Sequence, residues 1–407
     1  MMRKKGESYL NGNCSERNGN KRKITDISLV SSFLCLLIFL GCTSENSPEK
    51  EENTQEVGPL TEEKCVNFAQ ELHYSFLDSN INYLKSYVDW KSLENSVVHN
   101  DPFRKKVYDT LMTRYSLADD FVNLTHSGAD VRFITYYQEE DKHVVVFRVF
   151  EQPQSLSIYE FHLVGNAEEL YVEDIYDYSS ASSIRTSLSD EVDFWCKWGD
   201  EWSKEYEKFE NLVASFNDYL SKGDLKSAYL LTKQLPDDYL ELKRFRQLQG
   251  VICENSGSPK LMIGYLSEEV NRIPIMEKGR WLPLFYLRSI QGSYGEALIA
   301  LSNLEKEVGE DVYIDFLKGN VYFEMEDYES AIAYFNKSLS TDSEVMIFHL
   351  AKIHSYINKQ AYTEAVEALL VMDDSFKISE FDWDAEFAQY PEFISSSQYK
   401  EFLNRLD

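Results

Sequence analysis

Between Leu60 and Tyr87 apolar residues recur at helical spacing, with Phe68, Leu72 and Phe76 on one stripe. Side chains four residues apart share a helix face, so this spacing predicts a helix that buries the stripe. A second helical stretch follows Pro102 and carries Val107, Leu111 and Tyr115. The period then changes. The runs 131–137, 143–150, 156–164 and 170–178 are short and rich in β-branched and aromatic residues. Between them lie Glu139-Glu140-Asp141, Gln152-Pro153-Gln154 and Gly165-Asn166, which are turn compositions. Helices followed by an antiparallel meander predict an α+β domain over 60–188, with the helices on one face of a curved sheet. Helical spacing returns over 193–212, where Trp195, Trp198, Trp202, Tyr206 and Phe209 form one stripe. It predicts an aromatic linker helix over 189–208 that packs against its neighbours.

Further along the chain the pattern repeats itself. Tyr294, Tyr328 and Tyr362 are 34 residues apart, and so are Ala297, Ala331 and Ala365. The middle unit carries Gly319, Asn320, Tyr322, Asp327, Tyr328, Ala331, Ile332 and Phe335. It closely resembles the tetratricopeptide repeat, whose signature Gly, Tyr, Ala and Phe fall at these places. The preceding unit supplies Trp281, Leu284, Gly292, Tyr294 and Ala297, and the following one Tyr356, Tyr362, Ala365 and Leu369. Two weaker units come earlier, one with Leu212, Tyr219, Gly223, Asp224 and Ala228. The other has Gly250, Gly257 and Leu266, with Pro259 where an aromatic is usual. Five repeats are expected near 209–242, 243–276, 278–311, 312–345 and 346–379.

The resemblance implies an all-α solenoid of helix hairpins over 209–379, in which stacking supplies the core that no single hairpin can make. Gly319 and Ala331 belong where the two helices approach most closely, and the aromatics fill the wedge between units. The segment 380–407, with Trp383, Tyr390, Phe393 and Tyr399, is expected to cap the last apolar face. Arrays of this family present a groove to an extended peptide or helix of another protein. Some clamp a C-terminal carboxylate with Lys and Asn. Here Asn320 stands at one clamp place, but Phe316 and Leu317 occupy others, so that clamp is not made.

The order of elements over 60–188, with the late strand 172–178, is similar to the cone-shaped nuclear-transport-factor-two-like and cystatin-like domains. In some of these the sheet curls around a small-molecule pocket, which is the alternative reading of the function: a sensor or enzyme using that pocket.

The first residues read as an address. Lys21-Arg22-Lys23 precedes an apolar run, 27–40, that ends in Gly41-Cys42. A basic segment, a short apolar segment and a small residue before the cut make a secretory leader over 1–41. The run falls short of the about 20 apolar residues of a membrane span. Phe39-Leu40-Gly41-Cys42 resembles a bacterial lipobox, with Phe39 where Leu is usual. That resemblance implies lipidation of Cys42 as the mature N-terminus and a place in the bacterial cell envelope, facing the periplasm or exterior. An ordinary leader, or an uncleaved anchor with Cys42 inert, is the other reading. The acidic segment 42–59 is expected to be a disordered tether.

Charge narrows the partners. The 407 residues carry 41 Lys+Arg and 69 Asp+Glu, a formal charge of −28. Loss of 1–41 removes seven basic and three acidic residues and takes this to −32. Nucleic acid, which needs clustered cations, is not an expected partner, and an anionic membrane would be reached through lipid alone. A basic or neutral protein segment is favoured. Six cysteines in so long a chain make no disulfide framework.

Catalytic signatures are sparse. The sequence has no His-Glu-x-x-His, no Gly-x-Ser-x-Gly elbow and no phosphate-binding Gly-Lys-Ser/Thr loop. His349 and His354 are five apart, the wrong spacing for two ligands on one helix face. If the hairpin turns at Gln152-Pro153, residue i faces 305 − i, which sets His143 opposite His162 and Glu160 on the same face. These three are the candidate metal or proton-transfer group. The bland alternative is a polar edge to a core. No cofactor and no catalytic activity are expected.

Overall fold

The computed structural model describes residues 58–113, 117–151, 155–232, 239, 242–376 and 382–406. The leader, Cys42 and nearly all of the tether lie outside the described residues, as do Tyr115 and Gln152-Pro153. An N-terminal α+β part is followed by consecutive helix pairs. The chain divides into two compact units at Pro283/Leu284.

The first unit begins with α1 (Glu62–Leu77), where Thr61 accepts from Lys64 N and two acidic residues suit the helix N-terminus. The expected helix over 60–87 is in fact two: Ser79 takes φ +60, the chain turns, and α2 (Ile81–Tyr87) follows. Then come α3 (Trp90–Val98), capped by Asp89, and α4 (Pro102–Met112), capped by Asp101 with proline in its first turn. α5 (Leu117–His126) leads into the sheet.

Five antiparallel strands lie in sequence order: β1 (Asp130–Glu139), β2 (Lys142–Glu151), β3 (Ser155–Gly165), β4 (Leu170–Asp177) and the short β5 (Ser182–Ser183). α1, α2 and α5 cover one face. Phe76 stacks on Phe121 at 5.0 Å, and Phe147 meets Phe161 edge-on at 5.1 Å, in a core with Leu72 and Val145.

The register corrects the expected hairpin. His143 pairs with Leu163, Val144 with His162 and Val146 with Glu160. The pairing is one residue off, and a one-residue shift moves side chains to the opposite face.

α6 (Ile184–Cys196) and α7 (Trp202–Ser221) replace the expected single linker helix, and Gly199 turns the chain between them with φ +52. Trp195, fully buried, meets Tyr206 at 5.0 Å and Phe209 at 5.6 Å. α8 (Leu225–Thr232), α9 (Lys243–Asn255) and α10 (Pro259–Arg272) complete this unit. One apolar cluster joins Leu93, Val107, Val192, Phe209 and Phe245, from α3, α4, α6, α7 and α9. That apolar core runs across the expected boundary of 188.

α11 (Trp281–Ile290) spans the division. The second unit then runs α12 (Tyr294–Val308), α13 (Val312–Glu324), α14 (Tyr328–Thr341), α15 (Met346–Asn358) and α16 (Tyr362–Phe376). It closes with α17 (Trp383–Glu386), α18 (Pro391–Ile394) and α19 (Ser397–Leu406). Trp383, Phe387, Phe393, Tyr399 and Phe402 form one cluster with Ile353, Ile357 and Leu369, so this segment covers the last hairpin. Among the described residues no helix is long and apolar enough to cross a membrane.

Candidate functional site

The helix hairpins share one turn. Gly223, Gly257, Gly292, Glu326 and Gln360 all take left-handed φ, from +59 to +71. Their spacing is 34 residues, with one step of 35. Four of the turns close with the same bond, from Asp224 N to Tyr219 O, Ser293 N to Arg288 O, Asp327 N to Tyr322 O and Ala361 N to Tyr356 O, at 2.9–3.0 Å. A left-handed residue, followed by one whose N–H bonds five residues back, satisfies a helix's last carbonyls. Glycine does this without strain. Glu326 and Gln360 do it at a cost.

Inside each hairpin the small residues admit their partners. A Cβ on Gly319 would lie 2.5 Å from the ring of Phe335, and one on Gly250 would lie 2.7 Å from the hydroxyl of Tyr265. Ala297, Ala331 and Ala365 are wholly buried, as is Phe335. Tyr294, Tyr328 and Tyr362 open α12, α14 and α16 and are half-buried, as are Trp281, Tyr322 and Tyr356. Phe316 bridges Phe335 at 5.7 Å and Phe348 of the next hairpin at 5.0 Å, and Tyr322 stacks on Tyr334 at 5.4 Å.

Polar groups on α13 are tied down as well. Lys318 reaches Glu305 at 2.7 Å and Asp315 reaches Lys337 at 2.9 Å. Burial pushes the Asp315 carboxyl up, against the pull of Lys337 and Lys318. Tyr313, Phe316 and Leu317 are at most 2% exposed. Asn320, only partly buried, keeps an Nδ2 with no hydrogen-bond partner among the described residues. That Nδ2 is itself shut from solvent, although the residue as a whole is not.

On the sheet, the shifted register puts Glu160 and His162 on one face and His143 on the other, where His143 Nδ1 lies 2.9 Å from Tyr136 Oη. The expected three-residue group is not assembled. Glu160, 1% exposed, accepts from Tyr178 Oη at 2.5 Å and Tyr137 Oη at 2.6 Å, with His162 Nε2 at 3.4 Å and Lys278 Nζ at 3.9 Å. Burial alone would raise its carboxyl; the His162, Tyr137 and Tyr178 bonds and the charge of Lys278 outweigh it and hold the carboxyl below its usual range.

Lys278 also bonds Tyr137 Oη at 3.2 Å and Glu139 at 2.9 Å. Next to it Gly279, φ +77, brings the backbone so close that a Cβ would lie 3.1 Å from Tyr178 Cα. The group is a structural tie: Glu160 is buried at its centre, while Lys278 and Glu139 stand at its partly exposed edge. Sequence reasoning missed Lys278 and Gly279 because nothing local marks a contact with so distant a strand.

Other polar clusters are also committed. The cleft between α6 and the start of α9 holds Lys243 on Asp177 at 3.2 Å and Arg244 on Glu210 at 2.8 Å. Burial pushes the Cys65 thiol up to about 11, the opposite of an activated nucleophile. Among the described residues no group of His, Cys, Asp and Glu could hold a metal ion.

The sequence model of the tetratricopeptide repeat matches residues 316–344, from α13 through the end of α14. A comparison with curated proteins gives no match. Residues 316–344 are a tetratricopeptide repeat, set among hairpins with the same turn, and such repeats are modules of protein–protein interaction.

Proposed function

We propose that the chain is a non-catalytic scaffold of the bacterial cell envelope. Lipid on Cys42 holds it to a membrane, and its repeats hold a segment of another protein. The tetratricopeptide match at 316–344, framed by hairpins of one design, carries the scaffold half of this reading, and the apolar run 27–40 ending in Gly41-Cys42 carries the anchor. Several long acyl chains suffice for stable anchoring at about 0.8 kcal/mol per buried methylene, so the folded body need not touch the bilayer. The partner meets α13 at Asn320 rather than at Tyr313, Phe316 or Leu317, which are packed. Glu326, Glu329, Glu364 and Glu367 are exposed around the hairpins and favour a basic or neutral partner. Packed rings on the helix-covered face of the sheet leave no observation that favours a small-molecule sensor.

Photo-crosslinking in intact cells tests the scaffold. A photoreactive residue at Asn320, Glu329 or Glu364 is expected to capture one discrete protein, with a yield that falls as salt rises. Equal yields from these positions and from exposed Tyr74 on α1 would sink the docking assignment. Mass spectrometry of the mature N-terminal peptide tests the anchor: diacyl or triacyl mass on Cys42 is expected, and an unmodified cysteine overturns it.

A further inference from the structure

His354 sits in α15, 1% exposed, between the last hairpin and the C-terminal cap. Its Nε2 lies 3.2 Å from Glu386 Oε1 and its Nδ1 lies 3.1 Å from Tyr390 Oη. Asn358 Nδ2, one turn along α15, donates to the same Tyr390 oxygen at 3.2 Å. The rings of Phe387 and Tyr390 flank the imidazole at 5.5 and 5.3 Å.

A neutral ring fits these atoms. A neutral ring gives its Nε2 hydrogen to the Glu386 carboxylate and takes the Tyr390 hydroxyl hydrogen on Nδ1, and Tyr390 in turn accepts from Asn358. A second proton, on Nδ1, would force the Tyr390 hydroxyl to accept where it now donates, with one lone pair already used by Asn358. It would also put a charge among aromatic rings.

We propose that His354 is an acid-operated clasp, whose protonation releases the cap 382–406 from the last repeat hairpin and uncovers the apolar end of the array. The faces exposed would be Ile353, Ile357 and Leu369 on one side and Trp383, Phe387 and Phe393 on the other.

The charged neighbours set the direction. From the cap, Glu386 favours the charged ring, and burial opposes it and wins, so the ring's affinity for a proton is lowered in the closed state. On α15, Lys352 lies over the Tyr356 ring and Lys359 pairs with Glu329 at 2.5 Å. On α16, Glu364 is exposed. The open ring takes its proton below about pH 6.5. From there down to the lower pKa of the closed ring, each pH unit weakens closure about tenfold. A second buried histidine, His349, contacts Ser343 O at 2.9 Å and the Phe376 ring rather than the cap.

Hydrogen exchange of the whole chain at pH 7.5 and 5.0, corrected for intrinsic rates, tests the clasp. Amides of 383–403 are expected to lose about tenfold or more of their protection at pH 5.0, a one-proton response, while α13 and α14 keep theirs. H354Q, whose amide still donates to Glu386, is expected to hold the cap at both pH values, and H349Q to behave as the parent. Undiminished protection of the parent cap at pH 5.0 overturns the proposal, as does an acid response that survives in H354Q. Should H354Q free the cap at neutral pH, NMR titration of the parent's His354 ring decides: its midpoint must coincide with cap opening, and a midpoint that falls elsewhere overturns the proposal.

Discussion

Glu160 in the sheet and Gly319 in the array are both buried centres, but they draw on the chain differently. Glu160 is bonded by Tyr178 and Tyr137, 18 and 23 residues away, and Tyr137 is bonded in turn by Lys278, 141 residues from it. Gly319 meets Phe335 within its own hairpin. The sheet is held by polar groups that only the finished fold brings together. The hairpin is held by shape, and every element of the fit is local. Buried polar ties punish the loss of a member, because the others stay buried without it; shape-based contacts punish added volume.

The largest expected effect tests the first half of that contrast. Glu160→Ala leaves the Tyr178 and Tyr137 hydroxyls without their shared buried acceptor, and should cost about 3 kcal/mol. Urea denaturation followed by hydrogen exchange should show the loss in β1–β4 while α13 and α14 keep their protection. A loss under about 0.5 kcal/mol, the size of an ordinary surface change, would mean that the tie contributes nothing.

Next in size is the reverse experiment. Gly319→Ala adds a single methyl that falls 2.5 Å from the Phe335 ring, itself fully buried. Overpacking of this kind costs about 1–3 kcal/mol. Here the weakened amides should be those of α13 and α14, with the sheet unchanged. Ala331→Leu, at the other closely packed place, should behave alike.

Acid sharpens the comparison without mutation. Glu160 has a carboxyl held below its usual range in the folded state, so its contribution is complete above the unfolded value of about 4.3 and is lost as pH falls toward the lower folded value. His354 responds earlier, from about 6.5 downward. A pH ramp monitored by exchange should therefore open the cap first and the sheet second. Simultaneous opening, or the opposite order, would show that neither group governs its region.

The same contrast explains what could be read in advance. The 34-residue period, Ala297, Ala331 and Ala365 needed no knowledge of the fold, because a repeat writes its packing into spacing. The strands were visible as β-rich runs, but their register was not. Register belongs to a turn, and assuming Gln152-Pro153 at its centre put every pair one residue off, which carried His143 to the wrong face. Gly199 is one glycine within the aromatic stripe, and nothing around it in the sequence announces the φ of +52 that splits the stripe into two helices. The spacing of His349 and His354 makes them a poor ligand pair. Each in fact works singly, and no spacing rule points to Glu386 or Tyr390 as partners of His354.

The smallest effect concerns the turns, where local legibility itself fails. Gly223, Gly257 and Gly292 announce a left-handed residue, but Glu326 and Gln360 fill the same place without announcing it. A side chain there clashes with its own backbone at roughly 1–2 kcal/mol, offset in part because glycine loosens the unfolded chain. Glu326→Gly and Gln360→Gly should each stabilise the second unit by about 0.5–1 kcal/mol, read as a higher urea midpoint with unchanged slope. The gains should add, since the turns are a full repeat apart. The same substitution at Ser330, inside α14, should instead cost about 0.5–1 kcal/mol. If all three variants lose stability, the left-handed turn is not what sets the step of the array, and the likeness among the hairpins rests on the Gly319–Phe335 contact alone.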